Sequence, residues 1–246
     1  MKYPFLILIL LNSFIFANQI TAGKYCVLDG ATKKIVKEKD SLKSHPPAST
    51  VKLLTAMVVI DKVAKLDQNF FVSSKAENIA PIKINLMYGE EMSCKDLLTA
   101  LLVKSANDVA IVLAEGVSKS EKDFALLINE KANKIGCKNS FFTNPHGLPS
   151  TKQTSCAYDM ALIALEASKY PLIKEILAIK KVEIKTSKGR IITLQNSNVL
   201  LNKTNPIYGK TGWTNKARNN FAGFAIISDK VVSVCEIGRA SCRERV

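Results

Sequence analysis

The alternation of apolar and polar residues divides the chain into a strand-rich start, a helical middle and a strand-rich end. The segment KYCVLDGATKKIVKEK predicts two short strands around a turn at Asp29-Gly30. Apolar residues then recur at helical spacing over residues 49–65, which predicts one helix. Residues 76–165 are mostly helical in pattern, with helices expected over 95–115 and 122–135 and a break at the turn-rich TNPHGLPS.

Strand patterns return after these helices. VEIKTSKGRIITL predicts a hairpin around Lys188-Gly189, and NPIYGKTGWT and NFAGFAIISDKVVSVC predict further strands separated by a polar turn. The order of strands, helices and strands predicts a sheet with a helical insertion, an α+β arrangement within the α/β class. The 246 residues suffice for one sizeable domain, or for one domain with a subdomain set into it.

The first 17 residues, MKYPFLILILLNSFIFA, read as a targeting segment rather than as part of this domain. Lys2 precedes an apolar run that is short for a membrane span but has the length of a secretory signal. We expect a signal peptide over 1–17, cleaved after Ala17. The alternative is an uncleaved membrane anchor.

Residues 236–246, EIGRASCRERV, differ in composition from the rest of the chain. Arg190 and Arg218 are the only arginines before residue 239, yet residues 239–246 contain three and no lysine. The string also matches the translation of a common sequencing-adapter oligonucleotide. We therefore expect 236–246 to be a non-native tail and residues 18–235 to form the folded domain.

Charge and cysteine content exclude two classes of function. The net charge is +14, but the lysines are scattered, aromatic residues do not interleave with them, and no nucleic-acid motif is present. We therefore expect no nucleic-acid partner. The six cysteines show no Cys-x-x-Cys spacing, so a zinc site is not expected, and no disulfide pairing can be assigned.

The first candidate for catalysis is Ser49-x-x-Lys52. Ser49 falls in the first turn of a predicted helix, where free N–H groups and the helix dipole favour a developing alkoxide. Three residues on, Lys52 lies on the same helix face, and a buried lysine beside another cation can act as a general base. By itself, however, this short motif fits a capped helix with a surface lysine better than a catalytic pair.

Two further motifs reverse that reading. Ser105-Ala106-Asn107 lies in the helical region, and Lys210-Thr211-Gly212 lies on a predicted strand. With these the chain resembles the serine D,D-peptidases of the low-molecular-mass penicillin-binding protein type, the peptidase S11-like family, in which Ser-x-x-Lys, Ser-x-Asn and Lys-Thr-Gly follow in this order. The resemblance runs from residue 25 to about 235 and includes PASTVK, DLLTALLVKSANDVA, FFTNPHGLP and GKTGWT.

The resemblance implies roles for the residues of the Ser-x-x-Lys and Ser-x-Asn motifs. Ser49 would be the acylated nucleophile and Lys52 its base. Ser105 would pass a proton between the lysines and the leaving amine, and Asn107 would hold the substrate backbone through its amide.

The Lys-Thr-Gly strand would bind and polarise the substrate. By the same resemblance, Lys210 would lower the pKa of Lys52 and bind the terminal carboxylate of the substrate together with Thr211. Gly212 would let the strand lie close to the peptide. Main-chain N–H groups of Ser49 and Trp213 would form the oxyanion hole, and neither a metal nor a cofactor would take part.

The resemblance also implies a fold and an activity. The fold would be a β-lactamase/transpeptidase-like antiparallel sheet with helices and an inserted helical subdomain, in which the C-terminal strand and helix beyond residue 235 are missing. The activity would be that of a D-alanyl-D-alanine carboxypeptidase on peptidoglycan stem peptides, with β-lactams as covalent inhibitors. We expect an exported protein, in the periplasm or at the outer face of the cytoplasmic membrane, with membrane association through a C-terminal anchor outside this chain.

Three other functions stay open at this point. A D,D-endopeptidase of the same family is the nearest, and an inactive truncated remnant is another. A β-lactamase-like hydrolase is disfavoured, because this chain has Ser-Ala-Asn where class A enzymes have Ser-Asp-Asn, and no Glu-x-x-x-Asn lies between Asn107 and Lys210. We interpret His146 as a structural loop residue rather than as part of a Ser-His-Asp triad, and we assign no carboxylate-binding role to Arg218.

Overall fold

A computed structural model describes residues 22–239, so the expected signal peptide and residues 240–246 lie outside the described residues. The strands are β1 (Lys24–Asp29), β2 (Ile35–Lys39), β3 (Asn69–Phe71), β4 (Glu91–Ser93), β5 (Lys181–Lys185), β6 (Ile191–Gln195), β7 (Tyr208–Thr214), β8 (Arg218–Ile227) and β9 (Lys230–Arg239). The helices are α1 (Lys52–Lys62), α2 (Ser74–Asn78), α3 (Cys94–Val103), α4 (Asn107–Ser118), α5 (Glu121–Ile135), α6 (Ala157–Ala167) and α7 (Pro171–Ala178). Short 3₁₀ turns cover Ala48–Val51 and Val199–Asn202.

The main sheet has five antiparallel strands in the order β2-β1-β9-β8-β7. The prediction of a sheet interrupted by a helical insertion is confirmed, because β1 and β2 come before the helices and β7 to β9 come after them. That a further strand and a helix beyond residue 235 are missing remains a prediction. Strand β9 pairs with β1 on one side and with β8 on the other, so neither of its edges is unpaired. Residues 236–239, assigned above to a tail, lie in this strand.

The core lies between this sheet and the helices. Helix α6 packs on β1, β8 and β9, and nine of its eleven residues are buried. Helix α1 contacts α3, α4, α5 and α6 and buries its first eight residues, including Lys52. A helix that is enclosed on nearly all sides is central to a domain. The fold therefore fixes the first turn of α1 from several directions. None of the described helices is long and apolar enough to cross a bilayer.

The predicted helix over 95–115 is two helices, α3 and α4, separated at Lys104–Ala106. Ser105 has a φ of 68°, a left-handed conformation that a continuous α-helix does not contain. The N–H of Asn107 donates to the main-chain oxygen of Ile82 at 2.7 Å, which ties the start of α4 to a neighbouring segment. A tertiary contact thus overrides the helical pattern, so that Ser105 and Ala106 lie between the helices and Asn107 begins α4.

A buried ion pair joins the β5–β6 hairpin to the segment before β4. The Glu90 side chain is buried, and its oxygens accept from Arg190 Nε at 2.8 Å and Nη2 at 2.6 Å, from Thr186 Oγ1 at 2.9 Å and from the N–H of Met87 at 2.9 Å. The hydrogen bonds from Arg190 are the main reason that the pKa of Glu90 falls from 4.5 to about 2. The carboxylate is therefore the form that this contact stabilises.

Replacing Glu90 with glutamine is expected to destabilise the protein at pH 7 by about 1–3 kcal/mol, because Arg190 loses its buried anionic partner. In the wild type this stabilisation is complete above about pH 4.5 and is lost as the pH falls toward 2, since the folded pKa is the lower one. Urea unfolding at pH 7 and pH 3 measures both effects. Glu91→Gln, at an exposed neighbour, is the control. Equal stability losses for Glu90→Gln at the two pH values would contradict this role.

Candidate active site

Ser49 lies in the 3₁₀ turn Ala48–Val51, which leads directly into α1. The sequence predicted one helix here, and the structure replaces its first turn with the tighter 3₁₀ form. The preceding chain is held by Asn220 of β8, whose Nδ2 donates to the main-chain oxygens of Pro46 at 2.9 Å and Pro47 at 3.1 Å. The sheet therefore fixes the chain from which the nucleophile projects.

Lys52, the first residue of α1, is fully buried. Its Nζ donates to Asn107 Oδ1 at 2.7 Å, to the main-chain oxygen of His146 at 2.5 Å and to Ser49 Oγ at 3.1 Å. Ser49 Oγ in turn donates to the oxygen of His146 at 3.3 Å. The structure therefore brings the predicted nucleophile and base into direct contact.

These three contacts match what a general base requires. A protonated lysine has three N–H donors, whereas a neutral lysine has two and a lone pair. Asn107 and His146 supply two acceptors that take no part in the reaction. When Lys52 is neutral, its two N–H groups are satisfied by them, and its lone pair is directed at the Ser49 hydroxyl.

The surroundings favour this neutral form. Burial is the main cause that lowers the pKa of Lys52 well below its usual range, and the Lys210 ammonium lowers it further, whereas Asp108 opposes the shift. Lys210 is also buried, and burial lowers its pKa to about 7. Its Nζ donates to the main-chain oxygen of Thr211 at 3.0 Å.

Strand β7 passes directly over the nucleophile. A Cβ added to Gly212 would lie 2.9 Å from the main-chain nitrogen of Ser49 and 3.1 Å from the Cβ of Ala48. Only glycine permits such a close approach. The next residue, Trp213, lines the same cavities as Ser49, and the oxyanion hole formed by their N–H groups stays a prediction.

The Ser-x-Asn residues are arranged differently from their predicted roles. Both polar atoms of the Asn107 side chain are engaged, since Oδ1 accepts from Lys52 and Nδ2 donates to the main-chain oxygen of Ala80 at 3.0 Å. Within residues 22–239, the Ser105 side chain makes no hydrogen bond to Lys52 or Ser49. Asn107 thus orients the base in this structure, and the proton relay through Ser105 remains a prediction.

The loop 144–149, NPHGLP, contributes main-chain groups that the sequence did not predict. The oxygen of His146 contacts Lys52 and Ser49, and the oxygen of Pro145 accepts from Thr55 Oγ1 at 2.7 Å. Gly147 has a φ of 87° and packs against the main chain just before Ser49. Every residue has the same main-chain atoms, so the residue type does not reveal which carbonyl oxygen contacts the base. The only signal was the family resemblance of the segment itself.

The His146 ring has hydrogen-bond partners other than the nucleophile. Its Nε2 lies 3.0 Å from Glu121 Oε1, and its Nδ1 accepts from the N–H of Leu148 at 3.1 Å. Both ring nitrogens are therefore occupied without Ser49. No Ser-His-Asp arrangement is formed by this histidine.

Comparison with known proteins identifies the family. Residues 13–239 match the family model described as D-alanyl-D-alanine carboxypeptidase, peptidase family S11. The chain belongs to this family. D-alanyl-D-alanine carboxypeptidase DacF of Bacillus subtilis is 31% identical over 197 residues, which cover 78% of this chain and 51% of that protein. D-alanyl-D-alanine endopeptidase of Escherichia coli is 30% identical over 221 residues, which cover 88% and 71%. The chain spans about half the length of the Bacillus relative.

Solved structures place the fold of this family S11 chain among the penicillin-binding proteins. The penicillin-binding protein homolog Rv2911 from Mycobacterium tuberculosis superimposes with a TM-score of 0.85 at 25% identity, over 92% of this chain and 86% of that one. The Streptomyces K15 DD-transpeptidase gives a TM-score of 0.83 at 23% identity, over 91% and 92%. The predicted transpeptidase-like fold is confirmed.

In this family S11 chain, Ser49 lines two cavities. One has a volume of about 330 Å³ and is lined by Ser105, Thr211 and Ser197, among others. The hydroxyls of Thr211 and Ser197 are 2.6 Å apart. The other has a volume of about 510 Å³ and extends past Trp213, which borders both. A peptide bound at Ser49 can therefore occupy space in both cavities.

Proposed function

We propose that this protein is a serine D-alanyl-D-alanine carboxypeptidase that removes the terminal D-alanine from peptidoglycan stem peptides. The observation that carries the proposal is the buried Lys52 Nζ, which has two N–H partners in Asn107 and His146 and one reactive partner in Ser49. Family membership supports the same reaction.

The reaction would proceed through an acyl-serine. Ser49 Oγ attacks the carbonyl carbon of the penultimate D-alanine, and its proton passes to Lys52 Nζ. The oxyanion is stabilised by the N–H groups of Ser49 and Trp213. The C–N bond then breaks as the leaving nitrogen takes a proton, by way of the Ser105 hydroxyl. Water, deprotonated by Lys52, attacks the ester and releases the shortened peptide.

The substrate would lie along β7. This strand is at the end of the sheet, so its outer edge can pair with an extended peptide. Lys210 and Thr211 would bind the terminal carboxylate, which places the leaving D-alanine in the cavity of about 330 Å³ that Thr211 lines. The rest of the stem peptide would extend past Trp213 into the larger cavity.

Action on peptidoglycan also sets the location and the inhibitors that we propose. The apolar segment over 1–17 supports export, so the protein would act in the periplasm or at the outer face of the cytoplasmic membrane. β-Lactams would acylate Ser49 and be released slowly. This chain departs from class A β-lactamases at Ala106, and its sequence between Asn107 and Lys210 contains no Glu-x-x-x-Asn segment that could activate water.

Endopeptidase action is a second candidate, because one relative at 30% identity is a D-alanyl-D-alanine endopeptidase. Product analysis separates the two reactions. Release of free D-alanine from a pentapeptide supports the carboxypeptidase. Release of monomers from crosslinked dimers supports the endopeptidase.

Labelling with a fluorescent penicillin tests the nucleophile. We expect the wild type to form a stable covalent adduct and Ser49→Ala to form none, since Ser49 carries the only hydroxyl among the described residues that is hydrogen-bonded to the buried base. Ser44→Ala, which removes an exposed hydroxyl five residues earlier, is the matched control and should label like the wild type. Equal labelling of Ser49→Ala and the wild type would overturn the assignment.

A further inference from the structure

A buried carboxylate lies behind the loop that contacts the catalytic lysine. Glu121 is the first residue of α5, and its side chain is mostly buried. Its Oε1 lies 3.0 Å from His146 Nε2, and its Oε2 accepts from Lys75 Nζ of α2 at 2.6 Å. None of these three side chains belongs to the Ser-x-x-Lys, Ser-x-Asn or Lys-Thr-Gly motifs.

The hydrogen bonds fix the tautomer of His146. Leu148 donates its N–H to Nδ1, so Nδ1 carries no proton. The proton of the neutral ring is then on Nε2 and is donated to Glu121. The ring is therefore held at both nitrogens, by α5 on one side and by its own loop on the other.

The same residue supplies the main-chain oxygen that contacts the base. The His146 oxygen is 2.5 Å from Lys52 Nζ, and it also accepts from Ser49 Oγ. Because the ring and the carbonyl belong to one residue, fixing the ring restricts the direction of the carbonyl. A continuous set of contacts thus runs from Lys75 through Glu121 and His146 to Lys52.

We propose that Glu121 is a positioning residue for acylation: through His146 it holds the main-chain oxygen that directs the Lys52 lone pair at Ser49. This proposal rests on the proposed function, in which Lys52 is the base. Glu121 itself touches neither Ser49 nor Lys52 among its described contacts.

Both partners favour the charge states that their hydrogen bond requires. The hydrogen bond from His146, reinforced by that from Lys75, lowers the pKa of Glu121 to about 2, which favours the carboxylate. Burial lowers the pKa of His146, which favours the neutral ring. The charged groups that face the ring are Glu121 from α5, Lys75 from α2 and Lys52 from α1.

The charges around Lys52 determine how the rate should depend on pH. Besides the loop, Lys52 faces Lys210 from β7 and Asp108 from α4. Glu121 is not among the groups that shift the pKa of Lys52. Removing its carboxylate should therefore change the limiting rate of acylation and leave the acidic limb of the pH profile in place.

The test is the single-turnover rate of acylation by a fluorescent penicillin, measured from pH 4 to pH 10 on the full chain. Glu121→Ala should lower the limiting rate by about ten- to a hundred-fold, because the base is misdirected. The acidic limb of its pH profile should stay in place, because Glu121 does not shift the pKa of Lys52. Glu121→Gln retains an acceptor for His146 and should recover most of the rate.

Asp123→Asn is the matched control, since Asp123 lies in the same first helical turn but contacts Ser120 rather than His146. Asp123→Asn should change neither the limiting rate of acylation nor the acidic limb of its pH profile. If Glu121→Ala does not fold, Glu121→Met, which fills the space but accepts no hydrogen bond from His146, replaces it. The proposal is overturned if the folded variant acylates as fast as Asp123→Asn, or if its rate falls only because the acidic limb moves. Failure of the proposed function is distinct, because Ser49→Ala would then label like the wild type.

Discussion

Lys52→Met is expected to slow acylation of Ser49 by a β-lactam by about 10²–10⁴-fold, the range that a general base contributes. Methionine fills the space of the lysine stem but cannot accept the Ser49 proton. The Lys52 ammonium or amine is the only group hydrogen-bonded to Ser49 Oγ besides the His146 oxygen among the described residues. That oxygen accepts a hydrogen bond but is too weak a base to remove the proton.

The loss should be one of chemistry rather than of folding. Removing a buried amine leaves Asn107 Oδ1 and the His146 oxygen without their donor, at a cost of about 1–3 kcal/mol. Removal of a buried cation offsets part of this cost. Thermal unfolding and single-turnover labelling should therefore respond very differently to the same substitution.

Lys62→Met, at the exposed end of the same helix, controls for the loss of a lysine from α1. It should label at the wild-type rate. If Lys52→Met also labelled at that rate while folded, Lys52 would not be the base, and another group would have to deprotonate Ser49.

The sheet shows which features can be predicted from local sequence patterns and which cannot. Alternating residues predicted the hairpins around Asp29-Gly30 and Lys188-Gly189, and both are present as β1–β2 and β5–β6. The pairing of β9 with β1 was missed, although both segments read as strands. Pairing between strands about 200 residues apart depends on their shared packing under α6, which neither segment displays by itself.

In the active site, too, some groups could be predicted from the sequence and others could not. Side chains with a distinctive chemistry, Ser49, Lys52 and Lys210, could be predicted from motifs, and the structure brings them together. The groups that orient Lys52 could not be predicted in the same way. One is the main-chain oxygen of His146, and the other is Asn107, whose family role suggested contact with the substrate instead.

Gly147 links the orienting loop to the nucleophile through its main chain. A Cβ at this position would lie 2.1 Å from the oxygen and 2.3 Å from the carbonyl carbon of Ala48, and 2.8 Å from the nitrogen of Ser49. All three are main-chain atoms, so no side chain can rotate away. The loop or the 3₁₀ turn must then move, and either movement separates the His146 oxygen from Lys52.

Gly147→Ala is therefore expected to lower the acylation rate by about a hundred-fold or more, since a displacement of about 1 Å is enough for such a loss. Its φ of 87° adds a conformational cost of about 1–2 kcal/mol. Gly189→Ala separates the two effects. Gly189 has a φ of 82°, but its added Cβ would meet nothing within 4 Å.

Gly189→Ala should lose stability and keep its acylation rate. Gly147→Ala should lose both stability and acylation rate. Unfolding in urea and single-turnover labelling of the folded fraction give the two quantities for each variant. If folded Gly147→Ala acylated as fast as Gly189→Ala, the contact between the loop and Ala48 would not control the reaction. The alignment of Ser49 and Lys52 would then have to come from α1 and Asn107 alone.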